Sequence, residues 1–223
     1  MIEIRKTREP HALTVYRKTE GATYDGMHGA KTENTDDDVY HVTLASLAKE
    51  QGYICAYCMR KIPQKKGNPP MTIEHIKPQS EAAEEERLDY GNMLAVCNGN
   101  RNSNDNNSKT CDASRGAKTM VVNPLIARTL ETIRYKPDGT IISPDESVNE
   151  DLSRTLNLNA PFLKECRKAA LLKLQKTVAE KYKGKTVERS TFERILKEYS
   201  EQSEKTAYVG ILIDWLNREI KRR

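Results

Sequence analysis

Hydrophobic positions change their spacing along the chain, and the first change lies near residue 36. The segment 1–35 is polar with little periodicity, and we expect it to form an extended, irregular arm. The acidic run 36–38 predicts a helix start, because carboxylates are favoured at the positive end of a helix dipole. The apolar face of this predicted helix is formed by Tyr40, Leu44 and Leu47, and Gly52 is a suitable end.

Residues 53–118 have a different texture, in which short apolar runs alternate with polar loops. The runs Tyr53-Ile54, Met71-Thr72-Ile73 and Met93-Leu94-Ala95-Val96 predict short strands. Glu81 to Glu86 predicts an exposed helical turn or loop, and the Asn-, Gly- and Ser-rich run 98–108 predicts a loop. A region of this size with such short elements buries too little to be stable without a staple.

The remaining chain predicts one hairpin followed by helices. Residues 131–143 flank the turn Pro137-Asp138-Gly139, and Pro161 suits the first position of a long helix. We expect Cys166 on the apolar face of that helix, in the core. Ser190-Thr191-Phe192-Glu193 predicts a capped helix start, and a last helix is expected over 206–222 with Trp215 in its apolar face. The chain thus divides into 1–52, 53–120 and 121–223.

Composition narrows the class of protein. Hydrophobic residues make up 37% and charged residues 31% of 223 residues, and mean hydropathy is −0.76. This composition excludes a membrane-spanning protein, and because the N-terminus has no apolar leader we expect the cytoplasm. Net charge is +5, and residues 161–223 carry 16 Lys and Arg against 9 Asp and Glu. Such a surplus suits nucleic acid, an acidic protein partner or a solvated helical surface equally well.

Four of the five cysteines form a pattern that favours metal over disulfides. Cys55 and Cys58 can supply two thiolates from one turn, and Cys97 and Cys111 are available to complete a tetrahedral zinc shell. Four sulfurs describe a structural site, because no coordination position is left open. The alternative is that these cysteines are ordinary small hydrophobic side chains.

Candidate chemistry lies between the two cysteine pairs. Glu74 and His75 are adjacent on a short predicted strand, and a bend at Lys77-Pro78 would let both face one phosphate. Asn92 suits either a turn or an amide that holds a catalytic imidazole.

A second candidate segment follows Cys111. Asp112 suits a helix cap or a metal ligand, and Arg115, one turn later, could grip a substrate phosphate. Lys77 is a second candidate for that phosphate contact.

In chain order, C-x-x-C, Glu-His-x-x-Pro, Asn-x-Leu and Cys-Asp-x-x-Arg-Gly resemble the HNH (ββα-metal) endonucleases over about residues 50–118. The resemblance implies an α+β protein in which a zinc-stapled ββα-metal module is embedded in a mostly helical chain. It assigns Glu74 and Asp112 to a catalytic divalent ion such as Mg²⁺, His75 to the general base, and Asn92 to the middle motif position. Two departures are the thirteen residues between Cys97 and Cys111 and the Asp at the last motif position, where His or Asn is usual.

The wider layout, with Val96-Cys97-Asn98-Gly99-Asn100 and a helical C-terminal half, resembles the HNH proteins of Septu and retron anti-phage defence systems (PtuB-like). That resemblance implies a defence role with an ATPase partner. Three functions follow: a metal-dependent endonuclease acting on DNA or RNA, an inactive zinc-stapled nucleic-acid- or protein-binding adaptor, and a toxin-like effector that cuts the host's own nucleic acid. An adaptor needs only the cysteines, so the presence of Glu74, His75, Asn92 and Asp112 favours the nuclease.

Overall fold

A computed structural model describes residues 1–33, 36–62 and 71–223 of the protein. Helices surround two small antiparallel sheets, which confirms the predicted α+β class. In chain order the described elements are α1 (His11–Tyr16), α2 (Val39–Glu50), β1 (Met71–His75), α3 (Glu84–Arg87), β2 (Met93–Cys97), α4 (Asp112–Arg115), β3 (Arg134–Tyr135), β4 (Ile141–Ile142), α5 (Glu146–Glu150), α6 (Pro161–Lys181), α7 (Arg189–Glu201) and α8 (Val209–Arg222). A π-helical turn, Asp151–Thr155, continues α5.

The helix α2 forms where the acidic run predicted it. Asp38 is its N-cap, and the carboxylate accepts a hydrogen bond from His41 N at 2.8 Å. The predicted apolar face is buried, and Gly52 follows the helix in a left-handed conformation with φ of +67°. Tyr53-Ile54 is not a strand, although Ile54 makes an isolated bridge with Lys61.

The strands β1 and β2 pair so that His75 lies opposite Met93 and Glu74 opposite Leu94. Side chains of α2 and its C-terminus satisfy the outer edge of each strand. Tyr40 Oη accepts from Ile73 N at 3.2 Å on the β1 edge. On the β2 edge, the Gln51 amide donates to Ala95 O at 2.7 Å and accepts from Ala95 N at 2.8 Å. The two-stranded sheet is therefore held from both sides, which fixes the end of β1 where the candidate residues lie.

The C-terminal half follows the predicted order with two corrections. The hairpin β3–β4 and the position of Pro161 at the start of α6 are confirmed. Cys166 is exposed and not in the core, because α6 buries Leu163, Arg167 and Leu171 on the other face. The buried Arg167 obscured this face in the sequence; its guanidinium donates to the carbonyls of Gly139 and Leu158.

Three boundaries also differ from prediction. The N-terminal arm is not wholly extended, since it contains α1. Helix α7 begins one residue before Ser190 and has no side-chain cap, so the predicted capping box is wrong. Helix α8 begins at Val209, after Tyr208 in a left-handed conformation, and not at residue 206.

One hydrophobic core runs through all three regions of the chain. It includes Leu13 and Leu47 from the first region, Leu94 from the second and Leu163 from the third. Trp215 packs against this core, with its ring 5.8 Å from that of Phe192. Among the helices of the described residues, none has the length and hydropathy needed to cross a bilayer.

Candidate active site and metal centre

The first pair of cysteines lies in a tight turn closed by backbone hydrogen bonds. Cys55 N donates to Arg60 O at 2.9 Å, and Met59 N donates to Cys55 O at 3.0 Å. Met59 has φ of +60°, which turns the chain back so that Ile54 and Lys61 pair. This turn brings the sulfurs of Cys55 and Cys58 to the same buried side.

The second pair is brought together by closure of the long loop between them. Thr110 N donates to Gly99 O at 2.9 Å, which places Cys111 beside Cys97 despite their separation in sequence. Gly99 has φ of +55°, and a Cβ atom there would lie 2.0 Å from Thr110 O, so only glycine permits this approach. Asn157 fastens the loop further by donating to the carbonyls of Asn107 and Lys109 at 2.8 Å each.

The four sulfurs are arranged as a tetrahedral zinc site requires. Sγ–Sγ distances are 3.8 Å for Cys55–Cys111, 3.7 Å for Cys58–Cys97 and 3.8 Å for Cys97–Cys111, and all four lie within 4.8 Å of one another. A zinc ion with Zn–S bonds of about 2.3 Å at a tetrahedral centre separates its sulfurs by about 3.8 Å. Each cysteine is at most 3% exposed. The prediction that these four cysteines, Cys111 included, lie together in a position to bind a structural metal is confirmed.

Glu74 lies in a buried polar cluster next to the cysteine cluster. Its Oε1 accepts from Tyr57 Oη at 3.1 Å and pairs with the Arg115 guanidinium. Tyr57 immediately precedes Cys58 in the turn that carries both cysteines, so this turn directly places a partner on the Glu74 carboxylate. Burial, and next the adjacent charge of Asp112, raise the pKa of Glu74 to about 7 against the opposing effect of Arg115.

Asp112 is the first residue of α4 and its carboxyl lies against that of Glu74. The other side of the Asp112 carboxylate pairs with Arg101, which is half exposed on the loop between Cys97 and Cys111. Glu74, His75 and Asp112 line one small pocket of about 150 Å³ together with Gln79 and Ser80. The structure therefore brings together three of the four side chains predicted for the catalytic centre, namely Glu74, His75 and Asp112.

His75, at the end of β1, is held by both ring nitrogens. Nε2 lies 2.8 Å from Arg87 O, and because a carbonyl can only accept, Nε2 carries the proton. Nδ1 then keeps its lone pair, and it accepts from the Gln79 amide at 3.1 Å in the pocket. Burial is the largest effect on the pKa of His75 and lowers it, so the ring is neutral at pH 7.

The structure corrects the role predicted for Arg115. Its side chain is 1% exposed, and its donors are taken by Glu74 and by the carbonyls of His75, Ile76 and Lys118. The sequence predicted a phosphate contact one turn after Asp112, whereas α4 packs the Arg115 side chain against the end of β1. Lys77 is about half exposed, and its Nζ pairs with Glu86 at 2.6 Å.

Asn92 also differs from its predicted contact. The Asn92 amide does not hold the His75 ring; Oδ1 accepts from Lys77 N at 2.8 Å and Nδ2 donates to Glu86 O at 3.1 Å. It thus joins the segment after β1 to α3, and the ring of His75 is fixed by Arg87 O. The turn alternative fits as well, since Asn92 closes a 3₁₀ turn before β2.

Sequence reasoning missed Gln79, the Arg87 carbonyl and Tyr24, all of which contact His75. Gln79 lies four residues after His75, just beyond the Glu-His-x-x-Pro motif, and its amide was a detectable signal. A backbone carbonyl carries no sequence signal, and Tyr24 lies in the arm, far from the motif.

The donor set suits a hard divalent cation. Two carboxylates converge at the pocket, and Glu74 is kept partly neutral by burial beside Asp112, so a cation would relieve the repulsion between them. Arg115 supplies one positive charge to the pair from the buried side. The oxygen ligands therefore fit a metal such as Mg²⁺, while the sulfur cluster fits zinc.

A comparison with known protein families finds a similarity in this part of the chain. The family model described as HNH endonuclease matches residues 55–109, which contain the first cysteine pair, β1, α3, β2 and Cys97. Residues 55–109 are therefore similar to the HNH endonuclease family, as the motifs predicted. Cys111, Asp112 and Arg115 lie just beyond the matched residues. No curated protein matches the chain.

Proposed function

We propose that this protein is a metal-dependent endonuclease that hydrolyses phosphodiester bonds in nucleic acid, with His75 as general base. The observation that carries the proposal is the orientation of the His75 ring. Its Nε2–H is fixed by Arg87 O, and the basic Nδ1 faces the pocket that Glu74 and Asp112 also line. A neutral imidazole beside two carboxylates in one pocket is the constellation expected for activating water against a phosphate.

In the proposed reaction, a water in the pocket replaces the Gln79 amide at His75 Nδ1 and gives it a proton. The water oxygen forms a bond to phosphorus while the bond from phosphorus to the 3′ oxygen breaks. The 3′ oxygen takes a proton from a solvent water as it leaves. Because the bond that breaks joins phosphorus to the 3′ oxygen, the products carry a 5′-phosphate and a 3′-hydroxyl. His75 returns its proton to solvent, and Gln79 can re-form its hydrogen bond.

Glu74 and Asp112 would hold the catalytic cation, and Tyr57 and Arg115 keep Glu74 directed toward the pocket. When bound, Mg²⁺ or a similar ion supplies Lewis-acid stabilisation of the charge on the phosphate and leaving oxygen. Asn92 contributes by tying the segment after β1 to α3, whose carbonyl orients His75.

The test is incubation of purified zinc-loaded protein with plasmid, single-stranded DNA and tRNA, with Mg²⁺ and with chelator. His75→Ala should lower cleavage by about 10²- to 10⁴-fold, the usual contribution of a general base. His11→Ala, on α1, is the matched control and should leave cleavage unchanged. Cleavage that persists in His75→Ala would refute the assignment, and binding without cleavage by the wild type, even with the ATPase partner added, would support the adaptor alternative.

The sequence resemblance to Septu and retron HNH proteins supports two further parts of the proposal: a role in anti-phage defence in the cytoplasm, and activation by an ATPase partner. Co-expression with an ATPase encoded beside this protein, followed by phage challenge, tests both. Protection should need the partner and intact His75. If His75→Ala protects equally, defence does not use this site. If expression alone is toxic and His75→Ala removes the toxicity, the host's own nucleic acid is the target.

A further inference from the structure

Tyr24, in the N-terminal arm and outside the matched HNH residues, packs directly on His75. The edge of one ring meets the face of the other, with centroids 4.6 Å apart and planes inclined at 80°. Tyr24 is only 8% exposed, so it closes one side of the imidazole against solvent. The arm therefore reaches the predicted general base across about fifty residues of sequence.

The same helix holds both Tyr24 and the carbonyl that fixes His75. Glu84, at the start of α3, accepts from Tyr24 N at 3.0 Å through Oε2. Its Oε1 accepts from Arg87 Nη1 at 2.6 Å, and Arg87 O is the acceptor for His75 Nε2. The packing of Tyr24 on the His75 ring and the hydrogen bond from His75 Nε2 are thus joined through one carboxylate.

A third contact ties this arrangement to the strand. The Tyr24 and Tyr40 rings lie edge to face, 6.3 Å apart, and Tyr40 Oη accepts from Ile73 N in β1. Ile73 directly precedes Glu74 and His75 in β1. The two tyrosines therefore fix the position of the arm relative to the strand that carries the candidate residues.

We infer that Tyr24 is a positioning residue for this nuclease: its ring holds the His75 imidazole in the orientation in which Nε2 reaches Arg87 O and Nδ1 faces the pocket. The role in catalysis rests on the proposed function, whereas the restraint on the ring does not. The arm is then part of the active site and not a separate appendage.

The test compares Tyr24→Leu, which removes the aromatic ring, with Tyr24→Phe, which keeps it. In the full-length zinc-loaded protein, Tyr24→Leu should lower kcat about 10- to 100-fold with little change in KM, because misplacement of a catalytic group by about 1 Å costs up to about 10²-fold. Tyr24→Phe should restore most of kcat. Tyr199→Leu, on α7, is the matched control and should cleave like wild type.

A second readout does not depend on cleavage. The His75 Nε2 proton, held by Arg87 O, should give a slowly exchanging NMR resonance, assigned by its loss in His75→Ala. It should persist in Tyr24→Phe and be lost in Tyr24→Leu. An unchanged resonance and unchanged kcat in Tyr24→Leu would overturn the inference.

Two outcomes need a second comparison. If Tyr24→Leu loses zinc or fails to fold, Glu84→Ala should still lose the resonance while the exposed neighbour variant Glu85→Ala keeps it; equal behaviour of these two would also overturn the inference. If the wild type cuts no nucleic acid either alone or with the ATPase partner, the proposed function fails, and the resonance alone decides whether Tyr24 restrains His75.

Discussion

The sulfur cluster and the carboxylate pocket are adjacent, but they differ in their donor atoms and in their access to solvent. The cluster has four identical donors, all buried, at distances that leave no room for a fifth ligand. The pocket has two carboxylates and an imidazole at the surface of a cavity, with a water-accessible side. A closed shell suits a structural ion, and an open one suits a substrate.

The sulfur cluster also positions residues of the carboxylate pocket. Cys111 and Asp112 are consecutive residues, and Tyr57 lies between Cys55 and Cys58 while its hydroxyl donates to Glu74. Whatever fixes the four sulfurs therefore fixes two members of the pocket. We call the four-cysteine cluster the frame, because it fixes the positions of residues in the carboxylate pocket.

The largest expected effect comes from removing the frame. Cys58→Ser should abolish zinc binding and unfold the HNH domain, because zinc binding to such sites contributes about 10–16 kcal/mol that is coupled to folding. Zinc content per chain and circular dichroism measure this. Cys166→Ser, the exposed fifth cysteine, is the control and should match wild type. A folded Cys58→Ser protein would show that the cluster is not the frame.

Removing the buried positive charge of Arg115, which pairs with Glu74, should have the next largest effect. Arg115→Met leaves the Glu74 charge without its partner and should destabilise the protein by about 4 kcal/mol in chemical denaturation. Adding Glu74→Gln to Arg115→Met should recover part of this loss, because the neutral amide needs no counter-charge. Lys118→Met, exposed on the same segment, is the control. If Arg115→Met instead weakened only substrate binding, the phosphate role predicted from sequence would be correct after all.

These first two predictions separate what the sequence could and could not supply. The cysteine spacing and the adjacent Glu74 and His75 depend on local order along the chain, so both the metal cluster and the core of the pocket were predictable. The partner of His75 Nε2 is a backbone carbonyl, and the direction of Arg115 depends on how α4 packs. Neither the carbonyl partner nor the direction of the Arg115 side chain can be predicted from the identities of the residues.

The helices show the same difference between features set by local sequence and features set by contacts in the folded chain. The start of α2 follows from Asp38, a local cap. The buried face of α6 instead depends on Arg167, whose guanidinium finds carbonyl acceptors only in the folded chain. A charged residue in a buried stripe shifts the apparent phase of the pattern, and Cys166 was therefore placed on the wrong side.

A smaller effect is expected where the long loop closes on the cluster. Gly99→Ala should destabilise the protein by about 3 kcal/mol, since it adds a clash with Thr110 O to an unfavourable positive φ. Gly116→Ala, also at positive φ but with open space around it, should cost only about 1 kcal/mol. Thermal denaturation with zinc titration compares the two. Equal losses would mean that loop closure does not help to set the cluster.

The smallest effect is expected at Lys77, which is next in sequence to Pro78, a residue that lines the pocket. Lys77 pairs with Glu86 at the exposed surface, so Lys77→Gln should leave the unfolding midpoint unchanged. If its ammonium contacts substrate phosphate, as we predict, the slope of log affinity against log salt should fall by about 1. Lys176→Gln on α6 should keep the wild-type slope. Glu86→Gln should strengthen binding by releasing Lys77. An unchanged slope in Lys77→Gln would show that the Lys77 ammonium does not contact the substrate phosphate.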